Sequence, residues 1–132
     1  MNFSKTNDLA LLILRLFFGG FMIYGHGWPK LMRLFGGEEI KFMDFLGLGP
    51  TISLSLAVFA EVICALLVMA GAYTRLASIP LIVTMGVAAF VSNAGEPFSN
   101  LEKALLFMVG FMVTAIAGAG WYSVDARLRN KI

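Results

Sequence analysis

The sequence predicts an all-α integral membrane protein, an antiparallel four-helix bundle forming a single domain over residues 1–132, with a short outer interfacial helix between helices 1 and 2. Three observations predict it. The chain is 59% apolar and 14% charged, with a mean hydropathy of +0.84, so it has too few polar side chains to coat a soluble domain of this size. Its apolar residues gather into four runs, about 9–28, 51–71, 76–92 and 101–120, each within the ~17–25 residues that a bilayer crossing needs. The last two connections, around 72–75 and 93–100, are short and force antiparallel neighbours.

The first run, LALLILRLFFGGFMIYGHGW, carries Arg15 and His26 inside an otherwise apolar stretch. At 3.6 residues per turn the two lie about 20° apart around the helix, with Gly19 and Met22 between them on the same stripe. A charge facing lipid costs at least ~2.5–3.5 kcal/mol, so this face must look at protein or at a wet cavity. The run is too long for a signal-peptide core and no small-x-small cleavage site follows, so no removable leader is expected.

Residues 29–50 form a long first connection. After the Gly36-Gly37 turn, 38–46 mixes charges with Ile40, Phe42, Met43, Phe45 and Leu46, which predicts the short interfacial helix. Gly47, Gly49 and Pro50 end it, and Thr51 or Ser53 is placed to cap the second crossing.

The second run holds Glu61 at its middle. Ser53, Ala57, Glu61 and Ala65 recur every fourth residue, with Cys64 on the same side; small residues at that spacing let helices approach closely and turn the carboxyl toward a neighbour. From Leu76 the third run has no ionisable residue, and Pro80 is expected in its opening turns, where a missing N–H is tolerated. The fourth repeats the small-residue seam as Gly110, Thr114 and Gly118, with Glu102 and Lys103 near its start. Trp121 and Tyr122 follow as an interfacial belt.

Depth then pairs the polar groups. At 1.5 Å per residue Arg15 lies about 10 Å and Glu61 about 15 Å from the inner surface, while His26 and Glu102 both lie about 27 Å up. Two level pairs are expected, Arg15 with Glu61 and His26 with Glu102. Each has a plainer reading: a structural ion pair that fixes helix register, a histidine bonded to a carbonyl or water, and a glutamate favoured by the helix dipole. Cys64 reads as packing; a lone thiol forms neither an internal disulfide nor a dithiol redox pair.

The net charge of +2 and pI near 8.9 come from a few basic residues at the ends of apolar runs. That is a topology signal and gives no argument for nucleic acid. The compact Arg127, Arg129, Lys131 tail places both termini in the cytoplasm. Arg75 and Asp125 then share the cytoplasmic side and are expected to pair. One histidine and scattered carboxylates make no compact metal-ligand set. There is no phosphate-cradling loop and no supported Ser/His/Asp set, so no catalytic constellation is assigned.

These polar residues also carry a family likeness. LRLFFGGFMIYGHGWPKL resembles the first helix of the DoxX family of small bacterial membrane proteins. AEVICALLVMAGAYTRLASIP is similar to that family's second helix with its Gly-x-x-Thr-Arg turn, and GAGWYSVDARL to its C-terminal Gly-x-Gly-x-[aromatic]-Ser-x-Asp pattern. The resemblance implies a multi-pass protein of the bacterial inner membrane, with Arg15, His26, Lys30, Glu61, Arg75, Glu102, Ser123 and Asp125 on family-like positions. Ile63-Cys64 stands where relatives often have paired glycines. Some relatives are associated with quinone-linked sulfur oxidation and others with thiol or radical stress. The resemblance thus implies an accessory subunit of a membrane redox system, with quinone as the candidate carrier. No cofactor is encoded, so a redox protein partner is expected, or a homo-oligomer. The alternatives are a non-catalytic scaffold or assembly factor, and a small-solute or proton transporter.

Overall fold

A computed structural model describes residues 3–131 of the chain. Four helices are long and apolar enough to cross a membrane: α1 (Ser4–Phe35), α2 (Pro50–Ala70), α3 (Thr74–Ser92) and α4 (Phe98–Ala117). A short α5 (Val124–Arg129) closes the tail. α3 lies along α4, while α1 packs on the last turns of α2 and on α4. Met22, Leu54, Val68, Leu81, Met85 and Phe111 fill the interior. Phe17, Phe21, Tyr24, Leu106 and Ile116 stay on the outer surface, as expected where hydrocarbon is the solvent.

Both small-residue seams face inward. Ser53, Ala57, Glu61, Cys64 and Ala65 are buried on α2. Gly110 and Thr114 in the second half of α4, and Gly118 just beyond its end, are buried. Ser78 Oγ and Thr114 Oγ1, 2.7 Å apart, join α3 to α4, a polar bond where the interface offers no water.

α1 is longer than the apolar run predicts. It passes Trp28 and Pro29 through a wide turn, Ile23–Gly27, in which the Trp28 N–H reaches the Ile23 carbonyl five residues back. Pro29 follows that break as an opening residue of the next regular segment, where its missing N–H costs little.

The connection 36–49 contains no helix, which corrects the predicted interfacial helix over 38–46. Its pattern is nearer an alternation: Ile40 and Phe42 are half-buried and Lys41 between them is exposed. Side-chain bonds hold it instead, the Phe45 N–H donating to Ser53 Oγ at 2.9 Å and the Gly49 N–H to Asp44 Oδ1 at 2.8 Å. Ser53 is thereby tied to the loop, and α2 starts at Gly49-Pro50 with no side-chain cap. Pro80 also differs from expectation. α3 begins at Thr74, so the proline falls inside the helix and leaves the Leu76 carbonyl without its usual N–H.

α2 ends on Gly71, whose φ of 73° suits a residue without Cβ. A side chain there would also strike the Arg15 guanidinium and Ser123.

Candidate functional site

Three of the spanning helices carry one wide turn each: Ile23–Gly27 in α1, Phe59–Cys64 in α2 and Ala88–Ser92 in α3. In each, a backbone N–H reaches back five residues, Trp28 to Ile23, Ala65 to Ala60 and Asn93 to Ala88. Such turns widen the helix, free backbone groups and recur at functional sites. Here they converge. His26, Glu61 and Ala88, one from each turn, line the same cavity.

Glu61 is fully buried and its partner is Lys30, not Arg15. Lys30 Nζ donates to Oε1 and Oε2 of Glu61, each at 2.7 Å. The lysine side chain keeps 23% exposure while the carboxylate has none. Lys30 is therefore the part of the pair that a ligand can meet. α1 continues through the wide turn past Trp28, which brings Lys30 alongside the middle of α2.

Gly27 fixes the spacing. A Cβ on it would lie 2.6 Å from the Glu61 carbonyl oxygen and 2.9 Å from its carbon. Gly27→Ala must push α1 off α2, an overpacking cost of about 1–3 kcal/mol. Gly25, in the same turn, has nothing within 4 Å of such a Cβ. Thermal unfolding in detergent should show a clear drop for Gly27→Ala and almost none for Gly25→Ala; equal behaviour would refute the close approach.

Two cavities meet at the ion pair. One, about 520 Å³, lies between α2 and α3 under the 36–49 loop, with walls of Phe42, Phe45, Leu56, Phe59 and Val83 and with Lys30 and Glu61 at its polar edge. Leu56, Phe59 and Val83 are each about half exposed, so its mouth reaches the lipid-facing surface. The other, about 380 Å³, lies between α1, α3 and α4 and is polar, lined by His26, Lys30, Glu61, Asn93, Ser99 and Lys103 among others.

Arg15 is fully buried, as its position in the apolar run requires, but it makes no pair with Glu61. Its guanidinium donates to the carbonyls of Val68 (3.4 Å) and Met69 (3.2 Å) at the end of α2. It also donates to the Tyr122 carbonyl at 2.5 Å. The last carbonyls of a helix lack intrahelical partners and carry its negative dipole end. A forked cation suits them. Arg15 thus clamps α1 to α2 and to the C-terminal tail at the end of the bundle where the termini lie.

His26 and Glu102 are not brought together either. The His26 ring sits edge-on to Phe107, centroids 5.3 Å apart, and Glu102 is exposed and absent from the cavity lining. Arg75 and Asp125 likewise do not pair. Asp125 accepts from the Tyr73 N–H at 2.7 Å and the Thr74 N–H at 3.0 Å, capping the start of α3 from across the chain. Exposed Arg75 lies instead against Gly118. Ser123 caps α5 by accepting from the Ala126 N–H at 3.1 Å. Asp8 accepts from the Trp121 N–H at 3.0 Å, so the tail is fastened from both sides. Among the described residues no group of three or more His, Cys, Asp or Glu could hold a metal ion.

Fold and site together define a four-span helical membrane protein whose buried polar groups serve two ends, a clamp near the termini and an ion pair between cavities at the loop end. Comparison with known proteins is consistent with that class. The DoxX family model matches residues 10–94, and the chain belongs to the DoxX family. It is 30% identical to the inner membrane protein YqjF of Escherichia coli K12 over 97% of this chain and 98% of that protein. It is 29% identical to the inner membrane protein YphA of the same organism over 96% of this chain and 95% of that protein. No solved structure matches.

Proposed function

We propose that this DoxX protein is an accessory subunit of an inner-membrane redox system and that the cavity between α2 and α3 receives a quinone-type carrier. The observation that supports this reading most is the placement of the Lys30–Glu61 pair at the edge of an apolar, lipid-reaching cavity. Its volume, about 520 Å³, suits a small-molecule head group. An ammonium has three N–H donors, and two are directed at Glu61. One remains for a carbonyl oxygen. Because Glu61 already balances the lysine charge, the edge favours a neutral acceptor over an anion, which suits a quinone carbonyl.

The quinone would supply the electron-accepting chemistry, and a partner protein the electrons, since no donor group is encoded. The chain's own part is to orient a carbonyl by Lys30 and to hold a carboxylate beside it. A thiol-linked reading has less support: Cys64 is buried in the core cluster, with no second thiol in the chain. The basic tail argues for cytoplasmic termini, which sets the cavity on the opposite, periplasmic side.

The test is binding of a short-chain quinone analogue to the full chain in lipid nanodiscs. Lys30→Gln and Glu61→Gln should each weaken binding about tenfold, ~1.4 kcal/mol. Val83→Trp should block the mouth while leaving the pair intact. No binding by the unaltered protein, or equal binding by all three variants, would overturn the proposal.

A further inference from the structure

We propose that the polar cavity between α1, α3 and α4 is a second, separate binding site, for the phosphate oxygens of a lipid head group or of a free phosphate ion. Its lining brings together Lys30, Lys103 and His26 with Asn93 and Ser99, against one carboxylate, Glu61. Both oxygens of that carboxylate are occupied by Lys30. Among the described residues the Lys30–Glu61 bridge is the only ion pair, so Lys103 brings to the cavity a positive charge with no carboxylate within ion-pair distance. A cationic cavity of about 380 Å³ has ample room for a phosphate group, and an ammonium on a flexible stem suits one as a point charge.

Two further features point the same way. α4 starts beside the cavity with Pro97 at its cap and no side chain bonded to its free N–H groups; Ser99, in that first turn, lines the cavity. The positive end of a 20-residue helix therefore adds to Lys103. The depth is also right for a head group. The cavity lies at the loop end; Trp28, between the lining residues His26 and Lys30 in the chain, and Phe98, next to the lining Ser99, are 53% and 68% exposed, and aromatic side chains gather at the membrane–water boundary. Of the nearby carboxylates, Glu102 is not part of the lining, and Glu96, which accepts from the lining Asn100 Nδ2 at 3.3 Å, stands outside it.

This site does not rest on the quinone reading. Lys103, Ser99 and Asn93 line the polar cavity and not the apolar one. The two share Lys30 and Glu61, whose charges balance each other, so the positive charge that distinguishes the polar cavity is that of Lys103.

The experiment uses the full chain in a phosphate-free maltoside detergent, at matched ionic strength. One arm adds inorganic phosphate and the other phosphatidylglycerol in mixed micelles. Thermal unfolding and native mass spectrometry of retained ligand are the readouts. A rise in unfolding temperature with retained ligand in the lipid arm alone assigns a head group, and in the phosphate arm alone a free ion; either supports the site. Lys103→Gln should weaken that response at least fivefold and Lys103→Glu should abolish it. Lys41→Gln, a loop lysine outside the cavity, should leave it unchanged. No response in either arm, or equal losses for Lys41 and Lys103 variants, overturns the proposal. Quinone-analogue binding should persist in Lys103→Gln, so failure here and failure of the apolar site can be told apart.

Discussion

Arg15→Met is expected to be the most damaging single substitution in the protein, lowering unfolding stability by about 3–6 kcal/mol. The figure follows from its two short bonds, to Met69 and Tyr122, since hydrogen bonds to charged groups contribute ~1.5–3 kcal/mol each. The carbonyls left behind are part-buried, that of Met69 at the end of α2 and that of Tyr122 in the tail, and the helix-end carbonyl has no intrahelical donor to replace the guanidinium. Arg15→Lys should recover less than half of the loss, because one ammonium cannot fork between the end of α2 and the tail. Thermal unfolding in detergent gives the magnitude. Limited proteolysis near Tyr122 gives the mechanism: cleavage there should become faster in Arg15→Met, because the tail loses its tie at Tyr122 and keeps only those at Trp121 and Asp125. An unchanged melting temperature together with a protected tail would show that the clamp carries no weight.

The second large effect concerns the ion pair, and it has a sign that separates two explanations. Lys30→Met should cost about 3–5 kcal/mol, because it leaves the Glu61 carboxylate buried and unpaired. Adding Glu61→Gln in the same chain should restore most of that loss, since no uncompensated charge then remains. The same cycle run between Arg15 and Glu61 should be additive to within ~0.5 kcal/mol, as the two share no partner. Strong coupling there, with none between Lys30 and Glu61, would mean that the pairing is the one depth suggests and not the one described.

Much of the architecture is legible in the sequence because hydrocarbon imposes a simple rule on length and polarity. The four runs, the inward turn of Glu61 on its seam of Ser53, Ala57 and Ala65, and the burial of Arg15 all follow from that rule. The partners do not. Depth measured along straight helices sets Arg15 and Glu61 about 5 Å apart and calls them level. Yet Arg15 meets residues 68 and 69, seven or eight positions beyond Glu61, which is roughly 10–12 Å of rise. Lys30 escapes notice for a related reason. The apolar run stops at Trp28, and a proline follows, so the helix reads as finished. Only the wide turn at Ile23–Gly27 carries it on, and a wide turn has no marker in residue type. The loop at 36–49 misleads in the opposite sense: a mixture of charged and apolar residues fits both an interfacial helix and an anchored coil. What decides is Ser53, whose hydroxyl accepts from the Phe45 N–H, a tie between residues that neither periodicity nor propensity records.

The Arg15 clamp bears on what can travel through the molecule. Beneath the two loop-end cavities stand Met22, Val68, Leu81 and Phe111, all fully buried, and beneath these the guanidinium bolts α1, α2 and the tail together. These packed side chains separate the loop-end cavities from the bolted end, so net passage of a solute across the bilayer would require the bolted end to come apart.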